Sequence, residues 1–390
     1  MVSNGYIEQT FGAWVTGKEN YMKPVKILHT SDLHIDWPFE KFIGSSREQR
    51  RHDVLTAFEE LCSLALTVQA DVLLVAGDLF HSDQVDRHTA ALVISGLAKL
   101  RSCGIKAVIL PGNHDPGVAG VLRKNAGLLE NVFVFTGDDW QLFDQIEGVA
   151  IYGHPYTESK KGVRVLPKLE LNDHAAFNIG ILHGTVSGLP QAENDYFPIT
   201  PEDIAESGLN YLALGHFHNY QDCSSRQTIC CYSGSPERLS FNNTADRKAV
   251  LITMEEGGVN IQPIALKARP YQVIEVEFGH RELAEIYNYI QDYADDTAVT
   301  RLNLNGLIDE EDILIISQLE NHFKNSFFYL EVSDATVLMP TADPADRTVK
   351  GVFVSKILAR LHDPATSPEE QKVLIEALKI GLTVLEGGRL

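Results

Sequence analysis

Between Val25 and Met254 the chain is punctuated by short apolar, β-branched runs, and five of them end directly in metal-capable side chains. The segments are Thr30-Ser31-Asp32-Leu33-His34, Ala76-Gly77-Asp78-Leu79-Phe80-His81, Pro111-Gly112-Asn113-His114-Asp115, Leu182-His183-Gly184-Thr185 and Leu214-Gly215-His216-Phe217-His218. In an α/β sheet the carboxyl ends of the strands share one edge, where ligand sites form. Such a chain therefore folds so that residues far apart in sequence meet at that edge.

The runs themselves predict strands at Val25–Thr30, Val72–Ala76, Ala107–Leu110, Val132–Thr136, Val149–Tyr152, Asn178–Leu182, Tyr211–Leu214, Thr228–Tyr232 and Val250–Met254. Helical patterns over Gln49–Gln69 and Arg87–Arg101 separate the early ones, with Val54, Leu55, Phe58, Leu61 and Leu92, Leu97, Leu100 on their apolar faces. The alternation reads as α/β, and the strand-rich later part as a second sheet. After Arg269-Pro270, residues 270–340 read as a small α+β unit: strands at Gln272–Phe278, Ala298–Asn305 and Phe327–Val332, with helices at Arg281–Tyr293 and Glu310–Asn321. Residues 341–390 follow as a tail of two helices, Val349–Leu361 and Ser367–Leu385, the second opening on a capping Ser, Pro368 and two acids. Their apolar faces exceed what a helical pair needs for folding on itself, so the tail docks either on a partner or on its own main domain.

Composition narrows the function classes. No run of about 20 apolar residues is present to span a membrane, and residues 1–21, an extension before the first domain (22–269), do not resemble a signal peptide. Five cysteines without a C-x-x-C pair suit buried, reduced thiols, and a cytoplasmic protein is expected. The net charge is −20, and residues 271–390 carry 21 acidic against 10 basic side chains. That balance argues against a protein that merely coats nucleic acid, because phosphate contacts need Lys and Arg. It leaves room for a site whose metals neutralise phosphate.

The donors number two carboxylates, one Asn carbonyl and four imidazoles: Asp32, His34, Asp78, Asn113, His183, His216 and His218. Seven exceed one tetrahedral ion and suit two ions that share a carboxylate, for which Asp78, beside Gly77, is the best placed. In extended backbone, Asp32 with His34 and His216 with His218 would each point to one side. Gly77, Gly112, Gly184 and Gly215 would let the chain turn sharply and approach the ions. Mixed O and N donors without thiolate favour Mn²⁺, Fe²⁺ or Zn²⁺.

D-x-H, G-D, G-N-H-D, H and G-H-x-H in this order resemble the calcineurin-like metallophosphoesterase superfamily. Within it, Gly77-Asp78-Leu79-Phe80-His81 and the segment from Tyr232 to Phe241 resemble the SbcD branch of DNA repair nucleases, with YhaO-type exonucleases the nearest likeness. The resemblance implies a four-layer αββα sandwich with a small α+β capping domain and a C-terminal helical tail. It implies two divalent ions, Mn²⁺ first among them, one held by Asp32, His34, Asp78 and His218 and the other by Asp78, Asn113, His183 and His216. His114 would then be the general acid, oriented by Asp115, and His81 would help place the phosphate. The family likeness also implies DNA as substrate, an SbcC-like coiled-coil ATPase on the tail and a homodimer through the early helices, with which the apolar face of Arg87–Arg101 is compatible. The chain departs from the pattern after His81, where Ser82-Asp83-Gln84-Val85 replaces a Pro-Ser pair.

Other polar residues read as less central. His29 is expected as a packed strand residue, His52, His88, His280, His322 and His362 as surface or structural, and His154 as an outside candidate ligand. Lys160, Lys161, Arg164 and Lys168 form one basic cluster, and Arg238, Arg247 and Lys248 a second, either of which could track a nucleic-acid backbone. Two further functions stand beside the nuclease: a phosphodiesterase for cyclic nucleotides or other small diesters, and a non-catalytic scaffold. The complete donor set speaks against the scaffold.

Overall fold

The computed structural model describes residues 23–123, 129–171, 174–189, 196–278, 283–340 and 345–385. The extension over 1–21 and His280 lie outside them.

The chain begins β1 (Val25–Thr30), α1 (Ser45–Thr67), β2 (Val72–Ala76), α2 (Arg87–Ser102), β3 (Lys106–Leu110), α3 (Val118–Arg123) and β4 (Val132–Val134). Next come β5 (Gln141–Ile146), β6 (Val149–Gly153), β7 (Phe177–His183), the two-residue strands β8 (Thr185–Val186) and β9 (Pro198–Ile199), and α4 (Pro201–Glu206). β10 (Tyr211–Gly215), β11 (Gln221–Asp222), β12 (Ile229–Tyr232), β13 (Lys248–Glu255) and β14 (Gly258–Ala265) complete this part.

These strands form two six-stranded sheets, ordered β14-β13-β1-β2-β3-β4 and β11-β12-β10-β7-β6-β5. β1 to β4 are parallel, as are β12, β10, β7 and β6. Parallel strands covered on both faces read as continuous apolar runs, and β2 and β10 are buried at every position. Alternate residues serve different layers. Leu28, Leu73, Val75 and Ile109 pack under the two long helices, with Val54, Phe58, Leu61, Leu97 and Leu100. Ile27, Val72, Leu74 and Val108 meet Ile151, Ile179, Tyr211 and Ala213 of the second sheet. The outer face of that sheet, with Leu182, Leu212 and Leu214, lies under Phe197 and Ile204. The result is the four-layer αββα sandwich.

Three edge strands escaped sequence reading: β14, β5 and the two-residue β11. β14 contains Pro263, which demotes a run as a strand, but β14 pairs only with β13, at an edge where a missing N–H is tolerated. β5 also lies at an edge and buries only Phe143. On the apolar face of α2, Val93, Leu97 and Leu100 are buried inside the molecule and Leu92 is half-buried. Cys62, Cys230 and Cys231 are buried free thiols, whereas Cys103 is exposed.

The capping unit is a parallel sheet of β15 (Tyr271–Phe278), β16 (Asp295–Ile308) and β17 (Phe327–Asp334), joined by α5 (Leu283–Asp292) and α6 (Glu310–Phe323) and extended by β18 (Val337–Leu338) on β16. α6 opens on a capping box between Asp309 and Asp312. α7 (Val349–Leu361) and α8 (Pro368–Leu385) pack on each other and on Leu307 and Val337 of the cap. The Ser367 hydroxyl accepts the Glu370 N–H as expected of a cap. Val349 and Val373 nevertheless stay 75% and 67% exposed, so the pair docks on the cap and still presents apolar surface. No helix among the described residues is long and apolar enough to cross a membrane.

Candidate metal centre

All five donor segments leave parallel strands, β1, β2 and β3 in one sheet and β7 and β10 in the other, at the same edge of the sandwich. The loops are laced together: the Asp32 N–H donates to the Gly77 carbonyl at 3.1 Å and the His34 N–H to the Asp78 carbonyl at 2.9 Å. The backbone is not extended there, which corrects the sequence expectation. Asp32, His34, Asp78 and His216 have φ of 53, 47, 53 and 110°, a left-handed region costing non-glycine residues about 1–3 kcal/mol each and held only where surroundings dictate it. Convergence thus comes from kinked loops rather than from strand alternation. Glycine is required for it at all four positions: a Cβ would lie 2.0 Å from Asp78 Oδ1 at Gly112 and 2.7 Å from the Phe197 carbonyl oxygen at Gly184. At Gly77 (φ +91°) a Cβ would lie 2.1 Å from His183 Nδ1, and at Gly215 one would lie 1.8 Å from the Ala76 carbonyl oxygen.

Asp78 stands between two groups of donors. Its Oδ2 lies 3.3 Å from His183 Nε2 and 3.5 Å from His34 Nε2, while its Oδ1 accepts the His114 N–H at 3.0 Å. On one side His34 Nε2 faces His218 Nε2 at 3.1 Å. On the other, Asn113 Oδ1 lies 3.0 Å from His183 Nε2, and the His216 ring is 5.4 Å from that of His183. Asp32 accepts the His216 N–H through both oxygens, at 3.0 and 3.1 Å, and the Ser31 hydroxyl at 2.6 Å. The combinations Asp32–His34–His218 and Asp32–Asp78–His183 each bring their ligand atoms within 4.8 Å of one another.

This set fits divalent cations. Two buried carboxylates share a pocket with four imidazoles, and a pair of ring nitrogens is turned face to face, an arrangement that a cation between them satisfies. Burial pushes Asp32 up to about 7, with Asp78 adding to the rise and His183 opposing it. Burial works against Asp78 too, but His183 and His34 draw it well below the usual carboxylate range. Burial holds His34 well below its ordinary value, His216 near about 3 and His218 near about 4, so these rings are neutral, as ligation requires. His183 is the exception: burial lowers it, yet Asp78 and Asp32 raise it to about 9.

His114 is exposed at the mouth, 4.8 Å from His34 between ring centroids, and its Nδ1–H donates to the His81 carbonyl at 3.2 Å. His81 stacks on His114 at 5.1 Å. Asp115 does not hold the His114 ring. It is fully buried and accepts the Phe80 and Gly112 N–H groups, so it positions loops instead. His29 is packed as expected, its Nδ1 2.9 Å from the Tyr211 hydroxyl. His154 lies away from the donors, between Trp140 and Phe197.

The basic clusters need correcting. Arg164 is paired with Asp203, and Arg247 is buried, donating to the His218 carbonyl at 2.5 Å and to Asn219 Oδ1 at 2.7 Å. Arg247 thus braces the G-H-x-H loop. Arg238 donates to backbone carbonyls of Asn243 and Arg269. Lys160 meets the Asp138 carbonyl, and Lys161 lies over the Tyr196 ring at 5.1 Å. Sequence reading missed Ser233, which supports Ser31 at 2.9 Å, and Tyr196, whose ring is 4.7 Å from His216. It also missed Trp37, 4.4 Å from His81, although an aromatic three residues past the D-x-H pair was visible.

The chain is 28% identical over 248 residues to the uncharacterised metallophosphoesterase YhaO of Bacillus subtilis, covering 60% of this chain and 59% of that protein. It is 23% identical over 378 residues to the DNA double-strand break repair protein Mre11 of Methanosarcina mazei, covering 90% of this chain and 54% of the relative. The chain therefore spans little more than half the length of either. A dimetal phosphatase structure from Danio rerio aligns over 62% of this chain and 99% of its own, with 10% identity and a TM-score of 0.39. The calcineurin-like phosphoesterase family model matches residues 25–250, a span that contains every donor, and the chain belongs to that family.

Proposed function

We propose that the protein is a nuclease that hydrolyses DNA phosphodiester bonds with two divalent cations, Mn²⁺ before Fe²⁺ or Zn²⁺. The observation that carries the hydrolytic part is the place of Asp78 Oδ2, within 3.5 Å of a histidine from each donor group. Asp32, His34, Asp78 and His218 would hold one ion, and Asp78, Asn113, His183 and His216 the other. Ions so held supply an activated water and neutralise charge on the phosphate. His114, exposed and tethered through Nδ1, delivers a proton from Nε2 to the leaving oxygen, a role worth about 10²–10⁴ in rate. His81 stacks beside it and contacts the phosphate, and Asp115 keeps both loops in place.

DNA as the substrate is supported by the likeness to the Mre11 repair protein, which covers 90% of this chain. In this reading residues 22–269 cut, 270–340 help aim the strand, and 341–390 dock an SbcC-like ATPase through the exposed Val349 and Val373. The net charge of −20 favours a second reading, a small diester or cyclic nucleotide as substrate. The test is hydrolysis of linear duplex and single-stranded DNA with Mn²⁺ beside a cyclic nucleotide and a small diester, each with a chelator control. Chelator-sensitive loss of DNA is the expected result. Cleavage of the cyclic nucleotide with DNA intact would replace the first reading by the second.

A further inference from the structure

Where the cap meets the sandwich, beside the donors but outside them, lies a cavity of about 350 Å³, within the range of sites that hold small ligands. Its lining is aromatic and comes from both units: Trp37 and Phe42 from the loop after β1, Phe241 from the segment after β12, Tyr271 from β15 and Tyr329 from β17. Ring centroids of Phe42 and Tyr329 are 4.4 Å apart, and those of Phe241 and Tyr271 5.0 Å, so each pair bridges the junction. Arg301 of β16 lies over Phe241 at 4.0 Å. Its buried Nε–H has no acceptor among the described residues. Of the two acids in the lining, Glu40 and Glu331, the second is paired with Arg301 and Lys41.

Flat apolar faces with an unsatisfied donor at their edge match a nucleobase, which offers a π-face for stacking and ring acceptors for the donor. The cavity also adjoins the centre, since the ring of Trp37, part of its lining, is 5.3 Å from that of His34 and 4.4 Å from that of His81. One side chain separates the space from the residues that would handle the phosphate. We infer that the cavity receives one unstacked base of the DNA strand being cut, from a nucleotide adjoining the scissile phosphate. The inference rests on the nuclease reading. A base inside a duplex hides both faces, so the cavity selects strand ends and single strands.

The test compares wild-type protein on single-stranded oligodeoxynucleotides with and without a single abasic site, moved stepwise past the cleavage position. At one register, loss of the base lowers kcat/KM by about 5- to 150-fold, the range spanned by stacking one base on aromatic side chains. The penalty falls on KM more than on kcat. 2-Aminopurine at that register is quenched on binding to the His114→Ala protein in Mn²⁺, a readout independent of turnover. Phe241→Ala, and separately Tyr329→Ala, erase the discrimination between intact and abasic strands. DNA cut equally well at every abasic register, without quenching, overturns the cavity assignment and leaves the nuclease standing. DNA cut under no condition removes both.

Discussion

At the scale of the residue, the site separates side chains that bind from side chains that act. His114 is the exposed member of a buried constellation, tethered by one ring nitrogen to the His81 carbonyl, and it lies outside both proposed ligand sets. Its replacement by Ala should keep two bound Mn²⁺ per chain by elemental analysis while turnover falls by about 10²–10⁴-fold. Undiminished turnover would remove His114 from the chemistry. His29 makes the opposite point, that a histidine beside the centre can be purely structural. Burial holds it near about 3, against 6.5 when unfolded. Below pH 6.5 the unfolded chain takes up a proton that the folded chain refuses, so stability falls as pH falls, by about 1.4 kcal/mol per pH unit down to about pH 3. Urea unfolding of chelated protein at pH 4.5 and 6.5, wild type beside His29→Asn, should show a smaller pH dependence in the variant. Equal dependence would mean that His29 is not the group responsible.

At the scale of the element, the cap is joined to the sandwich by a buried ionic knot. Arg50 of α1, fully buried, pairs with Asp53 at 2.5 Å and with Glu237 at 3.0 Å, and Arg269, just before the cap, returns to Asp53 at 2.6 Å. Arg50→Leu leaves Glu237, 3% exposed, as an uncompensated buried acid, a loss of about 3–5 kcal/mol. Chemical denaturation checks it, and a change under about 1 kcal/mol, the scale of an exposed pair, would show that the knot is solvated. No periodicity announces such a knot. The strands, helices and seven donors were legible because each carries a local signal: an apolar run, a capping residue, a His or Asp at a strand end. What was not legible depends on partners distant in the chain. Arg164 looked like a free cation until Asp203 stood beside it, Arg247 until the His218 carbonyl did, and the left-handed turns at Asp32 and His34 are imposed by β2-loop carbonyls. β14, with Pro263 inside it, carried no strand signal for a similar reason, because only sheet order reveals that it is an edge.

At the scale of the whole molecule, the nuclease reading requires a chain with 53 acidic and 33 basic residues to hold a polyanion. Two arginines that might have tracked phosphates are spent internally, Arg164 on Asp203 and Arg247 on the loop of His218. Attraction must then come from cations at the centre and from aromatic surface at the cap junction, neither of which releases many counterions from DNA. Each phosphate neutralised by Lys or Arg contributes about −0.9 to the slope of log K against log salt on duplex DNA. With His114→Ala to suppress cutting, duplex binding in Mn²⁺ should show a slope shallower than about −3, equivalent to about three such contacts. Chelation should remove most of the affinity at fixed salt. A slope near −6 that survives chelation would mean that a basic track does exist, and the acidic surface would then have to be placed on the far side of the protein from the DNA.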